Sequence, residues 1–522
     1  MPVHLVWLAP LLMIAAAVTA FAGKGFRPRG TIILVEIASL TAVAIGIGAI
    51  AIVSVNGPQT AELATAAGFG ASLRIDAVSV TMLALVSFVG WVVLRYSGTY
   101  LDGEERQGPF LGWMSLTLAA VMVLVTAGNV LQLTLAWAAM AAGLHRLLLF
   151  YPRRPAARRA ARKKAMTAGM GLVALASASA LLSMTYGTGD IAGIGRAAAA
   201  NPTAASAMGA GLLAAAALFK TAQFPVQGWL TEVMEAPTPV SALLHAGVVN
   251  AGGFLLIRFA DVMIGAPGVL AVLVILGGFT ALVGSLVMLT QPAVKTALAW
   301  STIAQMGFMI LQCGLALFPL ALLHLVAHSL YKAHAFLSSG GAVEAVAAAR
   351  RPGPVAVPGP GKVLRAFAIG LAIYFGIGLV VGFEHKSPQA TALGAILIFG
   401  VAYLIAQGLA DTVPSDLTRR TALASVVAAL AYFAFQRIAE WLTAGTLPPT
   451  PPPGPLEWAL ITLSVLSFGA VAVAQAMFPL WAGHPAAQGL RVHLSNGLYA
   501  NAVLNRLIRA WSRPSGGVSA GR

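Results

Sequence analysis

The feature that most restricts this chain is a succession of apolar runs, each near 20 residues, that follow one another with almost no polar stretch between them. They fall near 3–22, 31–54, 77–97, 110–128, 129–150, 165–185, 204–224, 238–258, 268–290, 296–314, 318–345, 366–383, 390–410, 421–444 and 456–480. A helix needs about 20 such residues to cross the roughly 30 Å hydrocarbon core of a bilayer. The expected fold is therefore all-α: a polytopic transmembrane helix bundle of about 13–15 spans. Composition agrees, since 59% of the 522 residues are hydrophobic and 9% are charged, against about 25% charged in a soluble domain. The single cysteine, Cys313, rules out an internal disulfide and a cysteine-built metal centre.

The 32 Lys+Arg against 16 Asp+Glu could point to nucleic acid, but their placement does not. Counting spans from an outer N-terminus puts Lys24, Arg27 and Arg29, the run from Arg153 to Lys164, Lys295, the Arg350–Arg365 group, Arg419 and Arg420 on one side. The tail arginines Arg491, Arg506, Arg509 and Arg513 fall there too, while Arg74, Arg196 and Lys386 stand nearly alone on the other. That is the positive-inside pattern: N-terminus outside, C-terminus cytoplasmic, in a bacterial inner membrane, with the charge facing lipid headgroups. The first span is expected to stay in place, because its basic cluster follows the apolar run, the reverse of a secretory signal. Residues 152–164 read as a solvated or amphipathic segment, 447–455 as a stiff proline-rich connection, and 486–511 as an interfacial helix. The domains expected are N-terminal helices over 1–110, a conducting core over 111–345, C-terminal helices over 346–480 and a cytoplasmic tail over 481–522.

An ionisable group at bilayer depth is a functional candidate, because it costs roughly 2.5–3.5 kcal/mol on insertion scales. Of eight lysines, two lie inside apolar runs. Lys220 precedes Thr-Ala-Gln-Phe-Pro225, and proline should break the helix there, giving a discontinuous helix near 204–236. A broken helix at depth needs protein or water to satisfy its freed groups; the plainer reading is a lysine snorkelling to the surface. His324, His328 and Lys332 recur every four residues and share one helix face, with His334 at similar depth. Imidazole can accept on one nitrogen and donate from the other near neutral pH, as a proton relay requires. Metal binding or simple interhelical hydrogen bonding would use the same residues, but no Cys or Asp ligand lies nearby, so no metal site is expected. His245 is a link in the same chain, and Glu235, just ahead of Pro237, is the carboxylate expected to feed it protons. No P-loop, dinucleotide fingerprint, haem motif or nucleophile elbow occurs; no cofactor and no enzyme activity of its own are expected.

The stretch Lys220-Thr-Ala-Gln-Phe-Pro-Val-Gln-Gly-Trp through Ala236-Pro-Thr-Pro-Val-Ser-Ala-Leu-Leu-His245 resembles the signature of the antiporter-like, proton-conducting family. That family includes subunit L of NADH-quinone oxidoreductase and the large Mrp sodium/proton antiporter subunits. Lys295-Thr-Ala-Leu-Ala-Trp-Ser-Thr-Ile-Ala-Gln-Met, with His324 to Lys332, resembles its second signature. The resemblance implies that Lys220 is the central lysine, His245 a connecting histidine and Lys332 the bridging lysine. It also implies a fifth-span glutamate, and Ala138 stands there instead. A second broken helix with its own lysine is not recognisable in 363–410. Arg74-Ile-Asp76, Leu144 to Tyr151 and Val492 to Tyr499 are similar to a narrower family, the membrane components of DAB inorganic-carbon accumulation complexes. That likeness implies a cytoplasmic zinc-binding partner related to carbonic anhydrases, with H+ or Na+ flow driving CO2 hydration to bicarbonate. The alternative is a subunit of a respiratory complex or an Mrp-type antiporter.

Overall fold

The computed structural model describes residues 3–23, 25–66, 68–341, 359–382, 386–408 and 415–511. Helices α1 (Leu8–Ala22), α2 (Arg29–Asn56), α3 (Ala77–Tyr100), α4 (Gln107–Val125), α5 (Val130–Leu148) and α6 (Pro155–Tyr186) come first. After the short α7 (Ile191–Ala200) comes α8 (Ala204–Lys220), which stops in mid-bundle and resumes as α9 (Gly228–Glu232). The next crossing is also divided, into α10 (Thr238–Ala246) and α11 (Ala251–Arg258), followed by the short α12 (Ala260–Ile264). Helices α13 (Pro267–Met288), α14 (Val294–Gly314) and α15 (Phe318–Leu337) complete the main core. A C-terminal group follows: α16 (Pro360–Val381), α17 (Pro388–Gly408), α18 (Ser415–Thr443) and α19 (Pro455–Ala476). The tail holds α20 (Phe478–Trp481), α21 (Pro485–Ser495) and α22 (Ala500–Trp511).

Among the described residues, eleven helical segments are long and apolar enough to cross a membrane by themselves. The local reasons for the helix ends are visible. Asp76–Ser79 and Thr203–Ser206 form capping boxes that satisfy the first free amides of α3 and α8. Proline opens α6, α13, α16 and α19, where a missing N–H costs nothing. Gly187 ends α6 in the left-handed conformation at φ 67°.

Helices α13 and α14 approach on paired glycines. A Cβ on Gly307 would sit 2.5 Å from Ala281 N, one on Gly277 2.6 Å from Leu311 N, and one on Gly314 2.6 Å from Val274 N. Lipid gives helices no hydrophobic reason to associate, so such close backbone packing supplies the attraction. One apolar cluster runs from Val6 through Leu494, and a second joins Val363, Tyr374, Phe399, Phe433 and Ala476 of the C-terminal group.

The architecture differs from the sequence reading in three places. Strands β1 (Gln59–Ala66) and β2 (Phe69–Ile75) form an antiparallel hairpin between α2 and α3, hidden in the sequence because its few polar residues resemble a loop. The basic run after Arg154 is amphipathic, as one of the two readings had it, but as the first turns of α6: Arg158, Arg159 and Arg162 are exposed while Lys163 and Lys164 are buried. The single helix expected over 486–511 is two, α21 and α22, bent where Leu498 takes φ 52°. Residues 512–522, Glu384 and His385 lie outside the described residues.

Candidate ion-translocation site

Lys220 closes α8 inside the bundle, and α8 ends for two reasons: Pro225 cannot continue it, and Ala222 takes φ 52°. Its ammonium lies over the Trp137 indole of α5, 5.0 Å from the ring centroid. Among the described residues no carboxylate pairs with it. A cation over an indole face is held electrostatically by about 2 kcal/mol when desolvated. Helix α11 reaches the break because a Cβ on Gly252 would strike Ala217 O at 2.8 Å.

The second crossing breaks directly after His245, at Gly247–Asn250. The His245 ring is fully buried, stacks on Phe336 at 4.4 Å, and has no hydrogen-bond partner on either nitrogen. Its backbone carbonyl lies 3.2 Å from His328 Nε2, and Asn250 Nδ2 donates to Ser329 Oγ at 2.7 Å, so α10 and α15 meet through polar groups. Along α15 the His324 and His328 rings are 6.0 Å apart, and His324 Nδ1 meets Gln312 Oε1 at 3.0 Å. Lys332, with no exposed surface, donates to Ser301 Oγ at 2.7 Å. The structure thus gathers buried His245, His328 and Lys332 and half-buried His324 into one row, with Lys220 on a neighbouring broken helix. Unpaired nitrogens at depth are the acceptors and donors that waters or a moving proton would use.

Two expected residues lie elsewhere. His334 is exposed beyond Lys332, and Glu235 is 47% exposed with Arg154 at 3.9 Å. The half-buried carboxylate of that end is Glu232, whose Oε1 accepts from Lys163 (3.1 Å), Asn501 (2.9 Å) and Asn505 (3.3 Å). Burial works against its charge, yet Asn501, Lys163 and Asn505 outweigh this and hold Glu232 below the ordinary glutamate range. Lys163 also donates to Asn501 and Asn505, so tail helix α22 is tied to the connector after the broken helix. A helical wheel carried back through Pro155 would have turned Lys163 inward, but Asn501 and Asn505 lie more than 250 residues from Glu232 and no local signal joins them.

At the opposite end Asp76 accepts from Arg258 (2.6 and 3.2 Å) and from Arg74 (2.8 Å), fixing α11 to the start of α3. These residues line a cavity of about 360 Å³ with Arg196 and Asp261. Lys386, one of the isolated basic residues counted on the outer side, turns inward to the face of Phe433, 3.5 Å from its centroid, near Tyr432. Burial, against the pull of Glu440, brings its ammonium down to about 8.

Residues 127–351 match the family described as NADH:quinone oxidoreductase/Mrp antiporter, and 65–111 match the complex I chain 5 N-terminus. Broken helices around buried lysines, on a chain of this pattern, define a multi-pass membrane protein of the antiporter-like class. The fold is similar to the Mrp complex of Dietzia sp., with a TM-score of 0.58 and 25% identity over 98% of this chain and 58% of that one. It is also similar to complex I of Thermus thermophilus, with a TM-score of 0.57 at 19% identity. Within the class the chain belongs to the family of DabB inorganic carbon transporter subunits. It is 37% identical to the "Probable inorganic carbon transporter subunit DabB2" of Halothiobacillus neapolitanus over 85% of this chain and 81% of that protein. It is 45% identical to the corresponding subunit of Hydrogenovibrio crunogenus over 53% of this chain and 54% of that one.

Proposed function

We propose that this chain is the cation-conducting membrane subunit of an inorganic-carbon accumulation system, carrying H+ or Na+ through Lys220, His245, His328, His324 and Lys332. The observation that carries this is the row of imidazoles and amines on helices broken beside them. A bundle that merely anchored a partner would have no use for two desolvated lysines. The end bearing Lys163, Lys295 and the tail faces the cytoplasm of a bacterial inner membrane, with Glu235 and His334 at its mouth. The partner there is a zinc protein of carbonic-anhydrase type, which carries the hydration chemistry while this chain supplies the gradient. The relatives' names support the inorganic-carbon reading over a respiratory or Mrp role.

The test is co-expression with a candidate zinc partner in a bacterium lacking carbonic anhydrase. Growth in ordinary air that an uncoupler abolishes, and that Lys220→Ala or Lys332→Ala removes with protein still in the membrane, is expected. Growth indifferent to both variants would end the reading.

A further inference from the structure

Lys164 is a buried amine to which the row above assigns no work. It leaves α6 one position after Lys163, yet the two lysines have different surroundings. Lys163 is matched by Glu232 and two asparagines, whereas Lys164 has no carboxylate partner among the described residues. Its ammonium donates to the carbonyl of Ala141 in α5 at 2.6 Å. Ala141 is four residues from Trp137, the ring that holds Lys220, so one face of α5 carries the contacts of both amines. No carboxylate pairs with either Lys164 or Lys220 among the described residues. From α5 His145 faces Lys164, and Arg146 lies next to His145; neither brings negative charge.

We propose that Lys164 is a translocating amine paired with Lys220, an assignment that rests on the conducting role of Lys220 argued above. Two cations in one water-poor region repel more strongly than they would in water. The pair therefore holds one proton more readily than two, and a proton arriving on Lys164 displaces that of Lys220 onward. The balance is simple. A proton from cytoplasmic water binds the neutral Lys164 amine, the Lys220 ammonium releases its own towards His245, and no bond other than N–H forms or breaks. Desolvated lysines suit this work because their protonation shifts readily, which a guanidinium's does not.

The experiment is dye-reported proton flux in proteoliposomes holding the full chain, compared for wild type, Lys220→Ala, Lys164→Arg, Lys164→Gln and Lys164→His. Arginine keeps the charge and can keep the bond to Ala141 but does not give up its proton. Flux in Lys164→Arg and Lys164→Gln is expected to fall to the level of Lys220→Ala. Lys164→His is expected to conduct with its optimum moved to lower pH, since histidine ordinarily titrates about 4 units below lysine. Wild-type flux and an unmoved pH profile in Lys164→Arg or Lys164→Gln, beside an inactive Lys220→Ala, would make Lys164 a packing residue and overturn the proposal alone. Should Lys164→Arg and Lys164→Gln both fail to fold, the pH profile of Lys164→His decides. Full flux in Lys220→Ala would instead overturn the conducting role itself.

Discussion

Replacing Asp76 by asparagine should destabilise the bundle far more than its size suggests. The side chain is fully buried, caps α3 through the Ser79 amide at 2.9 Å, and receives Arg258 and Arg74. Asparagine caps a helix about as well as aspartate, so the substitution isolates the charge. It leaves the Arg258 guanidinium, 4% exposed, without a counter-ion. Breaking one side of a buried pair costs about 3–5 kcal/mol. Arg74, 19% exposed, can turn into the adjoining cavity and adds little. Removing both partners, in Asp76→Leu with Arg258→Met, should recover most of that loss, because a buried pair is worth little against apolar side chains of similar size. Tryptophan fluorescence of the detergent-solubilised full chain during chemical unfolding measures both. Burial opposes the Asp76 charge, but Arg258 and Arg74 hold its carboxyl well below the usual range. Its contribution is therefore complete above the unfolded value of 3.8 and fades as pH falls through the folded one. A denaturant midpoint unchanged in Asp76→Asn, or a double variant weaker than the sum of the singles, would refute the reasoning.

Other expectations follow from the same contacts. Gly307→Leu should drive α13 and α14 apart, since even a Cβ lies 2.5 Å from Ala281 N; overpacking of about 1–3 kcal/mol should appear as a lower midpoint or an aggregating extract. Trp137→Leu should slow ion flux without unfolding the chain, by loosening Lys220 by up to about 2 kcal/mol; wild-type flux would show that the indole does not position the amine. Because Glu232 is held below its ordinary 4.5, its grip on α22 should be intact above that pH and lost as pH falls. Hydrogen exchange across 500–511 should then rise on acidification, and Glu232→Gln should flatten that dependence. Glu235→Gln, at an exposed pair, should change stability by less than about 1 kcal/mol.

Most of the bundle is written locally and so is readable. The apolar windows, Pro225 after Lys220 and the four-residue spacing from His324 to Lys332 each lie within one helix. Interactions between distant segments are not. Nothing near Glu232 in the chain announces Asn501 and Asn505, and nothing near Asp76 announces Arg258. Lys163 and Lys164 look solvated because their neighbours Arg158, Arg159 and Arg162 are charged; only the rotation of α6 against α5 and α9 turns these two inward. The break at Gly247 escaped because glycine and asparagine also occur in unbroken membrane helices, and the hairpin because short strands carry a weak periodic signal.

The proposed ion path depends on two desolvated amines, Lys220 and Lys332. Flux of H+ and of Na+ should be measured in parallel in proteoliposomes of wild type, Lys220→Ala and Lys332→Ala at matched protein content. The structure predicts a gradient-driven current of one of these ions in the wild type and background leak in both variants. Equal currents in all three would contradict it.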